Sequence, residues 1–237
     1  MSNDYFQFKQ FIVRHDRCPM KVNTDGVLLG AWADVHDIRS ALDVGTGSGI
    51  IALMIAQRSE ANIDAVEIDH LACRQAFENI DHSPWKNRIK VHHDSFQHYA
   101  SVCARQYDLI VSNPPYFRNA MKPGDKRKSK AKHDVDLGFE GLLYYSSLLL
   151  APHGRFCVIL PYAAKDNFMQ LACINHLYCR RIAAVRSTPL IPFSRIIMAF
   201  SRGMTDKIQQ SEITIHLKNR EYSPEYIELT RDFYLAF

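Results

Sequence analysis

The chain contains no apolar run approaching the ~18 residues needed to cross a bilayer, so no membrane-spanning helix is expected. Its six cysteines (Cys18, Cys73, Cys103, Cys157, Cys173 and Cys179) include no CxxC pair. In a chain of this size they are expected to be buried, reduced thiols. The eleven histidines form no HExxH or comparable ligand spacing, and no metal is expected. Residues 1–19 carry Lys9, Arg14, Asp16 and Arg17 among their apolar residues and lack a small-residue cleavage site, which argues against a secretory leader. Internal repeats and Gly/Ser-rich linkers are also missing. With 237 residues, 47% hydrophobic and 23% charged, the chain is neither disordered nor low in complexity. It reads as a single domain with a large core.

An excess of positive charge is missing except in one place. Residues 118–133 hold Arg118, Lys122, Lys126, Arg127, Lys128, Lys130 and Lys132 against one acid, Asp125, a local charge of +6. The remainder has 22 bases and 24 acids, so the whole surplus of the +4 chain sits in this window. Such a cluster is either a solvated charge run or an electrostatic footprint for phosphates.

Strand-like and helix-like segments alternate through the middle of the chain. Residues 41–44, 63–67, 88–93, 107–112 and 155–160 read as strands. Helices are expected over 50–58, 71–80, 137–151 and 163–176. Repeated βα units with apolar strands predict an α/β fold: a mostly parallel, twisted sheet with helices on both faces. Further on, 182–187, 195–201 and 211–217 read as strands. The last two predict an antiparallel hairpin at one sheet edge, turning within Arg202–Gln210. Near the N-terminus, 5–13 suggests a small strand pair and Thr24–Ala33 a helix capped by Thr24 or Asp25.

The first strand runs into Asp43-Val44-Gly45-Thr46-Gly47-Ser48-Gly49 and then a helix. A dinucleotide site would have its third glycine at position 50, where this chain has Ile50. GxGxG after an acidic strand end instead resembles the first motif of Rossmann-like (class I), S-adenosylmethionine-dependent methyltransferases. That resemblance implies a loop around the methionine portion of the cofactor, with Asp43 toward its ammonium group. The second strand ends at Glu67, 18 residues after Gly49, where a carboxylate can accept both ribose hydroxyls. Asp69 lies past the strand end and is the weaker choice. The third ends in Asp94-Ser95-Phe96, where the family places an acid on the adenine amine and the next backbone N–H on a ring nitrogen. His92 and His93 alternate across that strand and are expected to be structural.

The fourth strand ends in Asn113-Pro114-Pro115-Tyr116. This tetrapeptide resembles the (D/N)PP(Y/F/W) motif of methyltransferases acting on planar, conjugated nitrogens. Such nitrogens are poor nucleophiles because their lone pairs are delocalised. The Asn113 side-chain oxygen and the Pro114 carbonyl can each accept one N–H of the target amine and so orient it. Proline fixes φ and thereby the direction of that carbonyl. Tyr116 can stack on the target plane, and an unpaired base suits the arrangement. A guanine amine or a glutamine amide would satisfy the same motif. The basic cluster starting two residues later favours nucleic acid. His133, at its end, is open between an RNA contact and a helix cap.

The string Met20 to Trp32 (MKVNTDGVLLGAW), the DVGTGSG loop, the NPPY tetrapeptide and the lysine-rich segment together resemble the bacterial tRNA(Val) adenine-N6 methyltransferase family over nearly the whole chain. The resemblance implies S-adenosylmethionine as donor, adenosine 37 of a tRNA as acceptor and a cytoplasmic location. It also implies an N-terminal extension (1–36) over the cofactor of a catalytic core (37–237), with Lys21, Thr24 and Asp25 lining the donor site. A plain helix cap explains Thr24 and Asp25 equally well.

Overall fold

The computed structural model describes residues 3–115, 137–204 and 207–237. In chain order the elements are β1 (Tyr5–Gln7), β2 (Ile12–Arg14), α1 (Thr24–Trp32), β3 (Ser40–Val44), α2 (Ile50–Arg58), β4 (Asn62–Glu67) and α3 (His70–Asp81). They continue with β5 (Ile89–His93), α4 (Phe96–Val102), β6 (Tyr107–Ser112), α5 (Phe139–Leu149), β7 (Leu150–Pro161) and a 3-10 turn, Tyr162–Ala164. The chain then forms α6 (Lys165–Ile174), β8 (Tyr178–Arg186), β9 (Arg195–Ser201), β10 (Gln209–Thr214) and α7 (Pro224–Thr230).

Eight of these strands form one sheet in the order β10-β8-β9-β7-β6-β3-β4-β5. From β7 to β5 every neighbouring pair is parallel. Their side chains alternate between two cores, as a pleat with period two requires when both faces are covered. Ala41, Leu109, Val111, Cys157, Ile159 and Ile197 join the core beneath α1 and α2. Leu42, Ile110, Phe156, Val158, Leu160 and Ile196 join the core beneath α4, α5 and α6.

Three expectations need correction. The antiparallel hairpin is β8–β9, with Val185 opposite Arg195, and not 195–201 with 211–217. Its turn spans 187–194, and β10 returns to pair parallel with β8 at the sheet edge. A central strand needs two partners, and β8, nine residues long, is apolar enough to be covered on both sides. The cap of α1 is Asn23, whose side chain accepts from the Gly26 N–H at 2.9 Å, and not Thr24 or Asp25. All six thiols are free, but only Cys73, Cys157 and Cys179 are buried, while Cys173 is exposed.

The N-terminal hairpin β1–β2 packs on α3 and on the C-terminal segment. The Lys9 ammonium donates to the carbonyls of Arg231 (2.7 Å) and Phe237 (2.6 Å). Buried Asn79 of α3 accepts from the Arg14 N–H at 2.9 Å and donates to the carbonyls of Arg14 and Ser48, both at 2.8 Å. One side chain thus joins the N-terminal segment to the glycine loop. Among the described residues no helix is long and apolar enough to cross a membrane, and no His/Cys/Asp/Glu group is placed to hold a metal ion.

Candidate active site

In an open α/β sheet, ligands bind outside the carboxyl ends of the strands where the strand order reverses. Here the order reverses at β3, which has β4 on one side and β6 on the other. A cavity of about 260 Å³ lies at this point. Its walls come from four strand tips: Gly45 and Gly47 after β3, Glu67 ending β4, Asp94 after β5, and Ser112, Asn113, Pro114 and Pro115 at the end of β6. Phe96 and Leu137 add apolar surface.

The loop after β3 is built on left-handed glycines. Gly45, Gly47 and Gly49 have φ of +72°, +56° and +83°, which only glycine adopts without strain. Nothing lies within 4 Å of where a Cβ would stand on Gly45 or Gly47, so a ligand can approach the bare backbone there. Four N–H groups of the loop are already engaged. Gly45 and Thr46 donate to the Val66 carbonyl, Gly49 donates to the Thr46 carbonyl, and Gly47 donates to Glu67 Oε2 at 2.8 Å. The Glu67 carboxylate, which receives the Gly47 N–H, would repel a pyrophosphate placed there. The acids Glu67 and Asp94 suit a cofactor that carries positive charge and hydroxyl groups.

Glu67 is buried, and its other oxygen accepts from the Asp69 N–H at 2.9 Å. Each carboxylate oxygen has two lone pairs, so both can still receive a ribose hydroxyl. Asp69 instead caps α3 through the Ala72 N–H at 2.8 Å. Asp94 accepts from the Ser95 N–H at 2.7 Å and is hydrogen-bonded to His98 Nδ1 at 2.6 Å. Ser95 caps α4 and does not line the cavity.

Asp43 stands behind the loop and not in the wall. It is fully buried, with Oδ2 accepting from the Thr46 hydroxyl (2.6 Å) and the Ala52 N–H (3.2 Å) at the start of α2. Its Oδ1 has no hydrogen-bond partner. Burial pushes its carboxyl up to about 7, against the lowering effect of those two hydrogen bonds. An unpaired buried carboxylate oxygen is what a cationic group nearby would complete. With bare glycines and acidic strand tips, it makes the site fit S-adenosylmethionine, whose ammonium and sulfonium are both positive.

Lys21, Thr24 and Asp25 do not line this cavity. Asp25 forms an ion pair with Arg195, 2.8 Å apart. The N-terminal segment reaches the cavity through Met20, the first residue of the resembling string, and through Cys18 and Pro19, which no motif marked. They are placed by the preceding residues: the Arg17 N–H donates to Gln75 at 3.3 Å and its guanidinium to Glu78 at 2.8 Å. His92 is structural, as expected. It is hydrogen-bonded to Asp64 Oδ1 at 2.6 Å, while the Tyr107 hydroxyl donates to Oδ2 at 2.8 Å. Burial would raise the Asp64 carboxyl, but these bonds outweigh it and hold the group below its ordinary value. Tyr116, the basic residues Arg118, Lys122, Lys126, Arg127, Lys128, Lys130 and Lys132, and His133 lie outside the described residues.

Comparison with known proteins adds a name to this geometry. Residues 25–128 match the Methyltransferase small domain family. A tRNA1(Val) (adenine(37)-N6)-methyltransferase of Trichodesmium erythraeum (strain IMS101) is 46% identical over the full length of both chains. The chain belongs to the tRNA1(Val) (adenine(37)-N6)-methyltransferase family. A member of that family from Photorhabdus laumondii is 42% identical, covering 100% of this chain and 98% of that one. Among solved structures, a predicted O-methyltransferase from Agrobacterium tumefaciens superposes with a TM-score of 0.71 at 17% identity, over 88% of this chain and 96% of the other. The ribosomal protein L11 methylase of Lactobacillus delbrueckii gives 0.59 at 18% identity, over 81% and 84%. At those identities the structures establish the fold: this adenine-N6 methyltransferase is built on the class I methyltransferase sheet.

Proposed function

We propose that the protein methylates the N6 amine of adenosine 37 in tRNA1(Val), with S-adenosylmethionine as donor. The observation that carries this is the placement of Asn113 and Pro114 in the wall of the cavity that the glycine loop also lines. Bound there, the cofactor supplies an electrophilic methyl group on a sulfonium. Gly45, Gly47, Glu67 and Asp94 would hold it, with Asp43 behind the loop. The chain's own contribution is positioning. The Asn113 side-chain oxygen and the Pro114 carbonyl accept the two N–H groups of the adenine amine and fix its plane. Positioning of this kind contributes up to about 7–11 kcal/mol of a barrier in favourable cases. Tyr116 stacks on the base, and the basic residues 118–132 meet the flanking phosphates.

The test is nucleoside mass spectrometry on tRNA1(Val) from a strain lacking the gene. The expected result is loss of N6-methyladenosine at position 37 and its restoration by purified protein and S-adenosylmethionine. Retention of the methyl group in that strain would sink the reading.

Two further outcomes follow from it. Neutralising Lys126, Arg127, Lys128 and Lys130 together is expected to raise the KM for tRNA and flatten its dependence on salt, because fewer counterions are released on binding. Affinity for S-adenosylhomocysteine should stay at the wild-type value. Steady-state kinetics at several ionic strengths measures the first, and calorimetry the second.

The raised Asp43 carboxyl sets a pH dependence. Its folded value, about 7, lies above the ordinary 3.8, so the cofactor-free protein loses stability as pH rises between those values. A cationic ligand favours the ionised carboxylate. Affinity for S-adenosylhomocysteine, which keeps the ammonium group, is therefore expected to rise from pH 6 to pH 8, with a proton released on binding at the lower pH. Asp43→Asn should remove that pH dependence while leaving the melting temperature of the cofactor-free protein at neutral pH close to wild type. Calorimetry in buffers of different ionisation enthalpy reads the proton directly.

A further inference from the structure

Next to Asn113 the sheet carries a row of stacked side chains that neither the cofactor nor the target amine uses. The β6–β7 ladder ends with Ser112 level with Val158; β7 continues to Pro161, and Tyr162 follows immediately. The Tyr162 ring stacks on Phe193, with centroids 5.6 Å apart and planes at 29°. The Arg186 guanidinium carbon lies 5.0 Å from the Phe193 centroid. Arg195 pairs with both Pro161 of β7 and Val185 of β8, which brings all three residues to one sheet edge. That edge is the one bearing the glycine loop and Asn113. The row thus crosses the tips of β7, β9 and β8 in order, leading away from the reacting nitrogen.

The row is fixed in advance. The Tyr162 N–H donates to the Ser194 carbonyl at 3.1 Å, and the Ser194 N–H donates to the Val185 carbonyl at 2.9 Å. Arg186 is held by Thr214 (3.0 Å) and Glu212 (3.2 Å), leaving its plane against Phe193. Pro189 and Pro192 stiffen the connecting turn, and between them Leu190 and Ile191 stand exposed. Tyr162 and Phe193 are themselves only partly buried.

We infer that Tyr162, Phe193 and Arg186 form a stacking platform for a nucleotide adjacent to the methylated adenosine in the single-stranded RNA loop. Tyr162 lies roughly 10 Å along and 5 Å across the sheet from the level of Asn113, counting three residues and one strand. That is too far for the target base and within reach of the nucleotide joined to it. Single-stranded RNA is bound by stacking its bases on aromatic rings and on arginine planes. The inference rests on the proposal that the substrate is an adenosine in an RNA loop, and it adds where the neighbouring base goes.

The test uses hairpin RNAs carrying the target adenosine in the loop, with 2-aminopurine at the nucleotide on its 5′ or its 3′ side. Binding of wild-type protein is expected to quench the fluorescence of one of the two probes. Phe193→Ala and Tyr162→Ala should each abolish the quench and raise the KM for tRNA about 5- to 100-fold, the factor carried by one base–aromatic stack. Tyr162→Phe and Phe193→Trp should retain both, because the ring face is what matters. Affinity for S-adenosylhomocysteine should not follow. Quenching that persists in both alanine variants, or a lower melting temperature with no change in KM, would overturn the platform while leaving the proposed activity intact. If the wild-type protein methylates neither the hairpin nor tRNA1(Val), the proposed activity fails and the platform with it.

Discussion

Asn113→Ala is expected to lower kcat by about 10²–10³-fold, the range seen when one preorganised hydrogen-bonding group is removed from a reacting centre. Affinity for S-adenosylhomocysteine should change little. The side chain sits in the cavity wall at the tip of β6, and the strand behind it is fixed on both sides by β3 and β7. In the proposed reaction its oxygen would hold the target amine in the plane needed for attack, and alanine offers no such acceptor. The melting temperature should stay close to wild type, because Asn113 is only half-buried and β6 keeps its ladder. Single-turnover methylation of tRNA1(Val) measures the effect on the chemical step. A rate equal to wild type would remove Asn113 from the site.

The second large effect belongs to the cofactor side. Glu67→Ala is expected to weaken binding of S-adenosylhomocysteine by about 100-fold or more and to lower stability as well. Two ribose hydroxyls donating to a carboxylate are charge-assisted bonds, each worth about 1.5–3 kcal/mol. The carboxylate also accepts from the N–H groups of Gly47 and Asp69, and removal takes that partner from both, at about 0.5–1.5 kcal/mol each where water replaces it. Glu67→Gln separates the two effects. It keeps one acceptor oxygen but turns an amide NH₂ toward a donor. Its stability should fall less than that of the alanine variant, while its cofactor affinity still drops. Calorimetry gives the affinity and thermal denaturation the stability. Unchanged affinity in both variants would mean that the ribose is held elsewhere.

The parallel half of the fold was legible because its signals are local. Each buried strand is an apolar run that ends in a turn or an acid, and Gly45, Gly47 and Gly49 mark the one turn that needs left-handed backbone. The edge was not legible. β9 and the segment around 211–217 both read as strands, and nothing within either states which partner it takes. The turn signal at Pro189 and Pro192 competed with the polar stretch at 202–210, and pairing across the sheet decided between them. The cap of α1 shows the same limit on a smaller scale. Asn23, Thr24 and Asp25 are all good cap residues in a row, and the choice falls to Asn23 while Asp25 faces Arg195. Cys18, Pro19 and Met20 reach the cavity only because Gln75, Glu78 and Asn79, some 60 positions later, hold the chain before them. The resemblance implied Lys21, Thr24 and Asp25 as lining residues, but the cavity is lined by Cys18, Pro19 and Met20 just before them.

Asn79 has a dynamic consequence. Its amide holds the carbonyl of Ser48 and both polar groups of Arg14 at once. Arg14 and the glycine turn are therefore tied to one helical side chain, so Asn79→Ala is expected to loosen both together, leaving three backbone groups to find water.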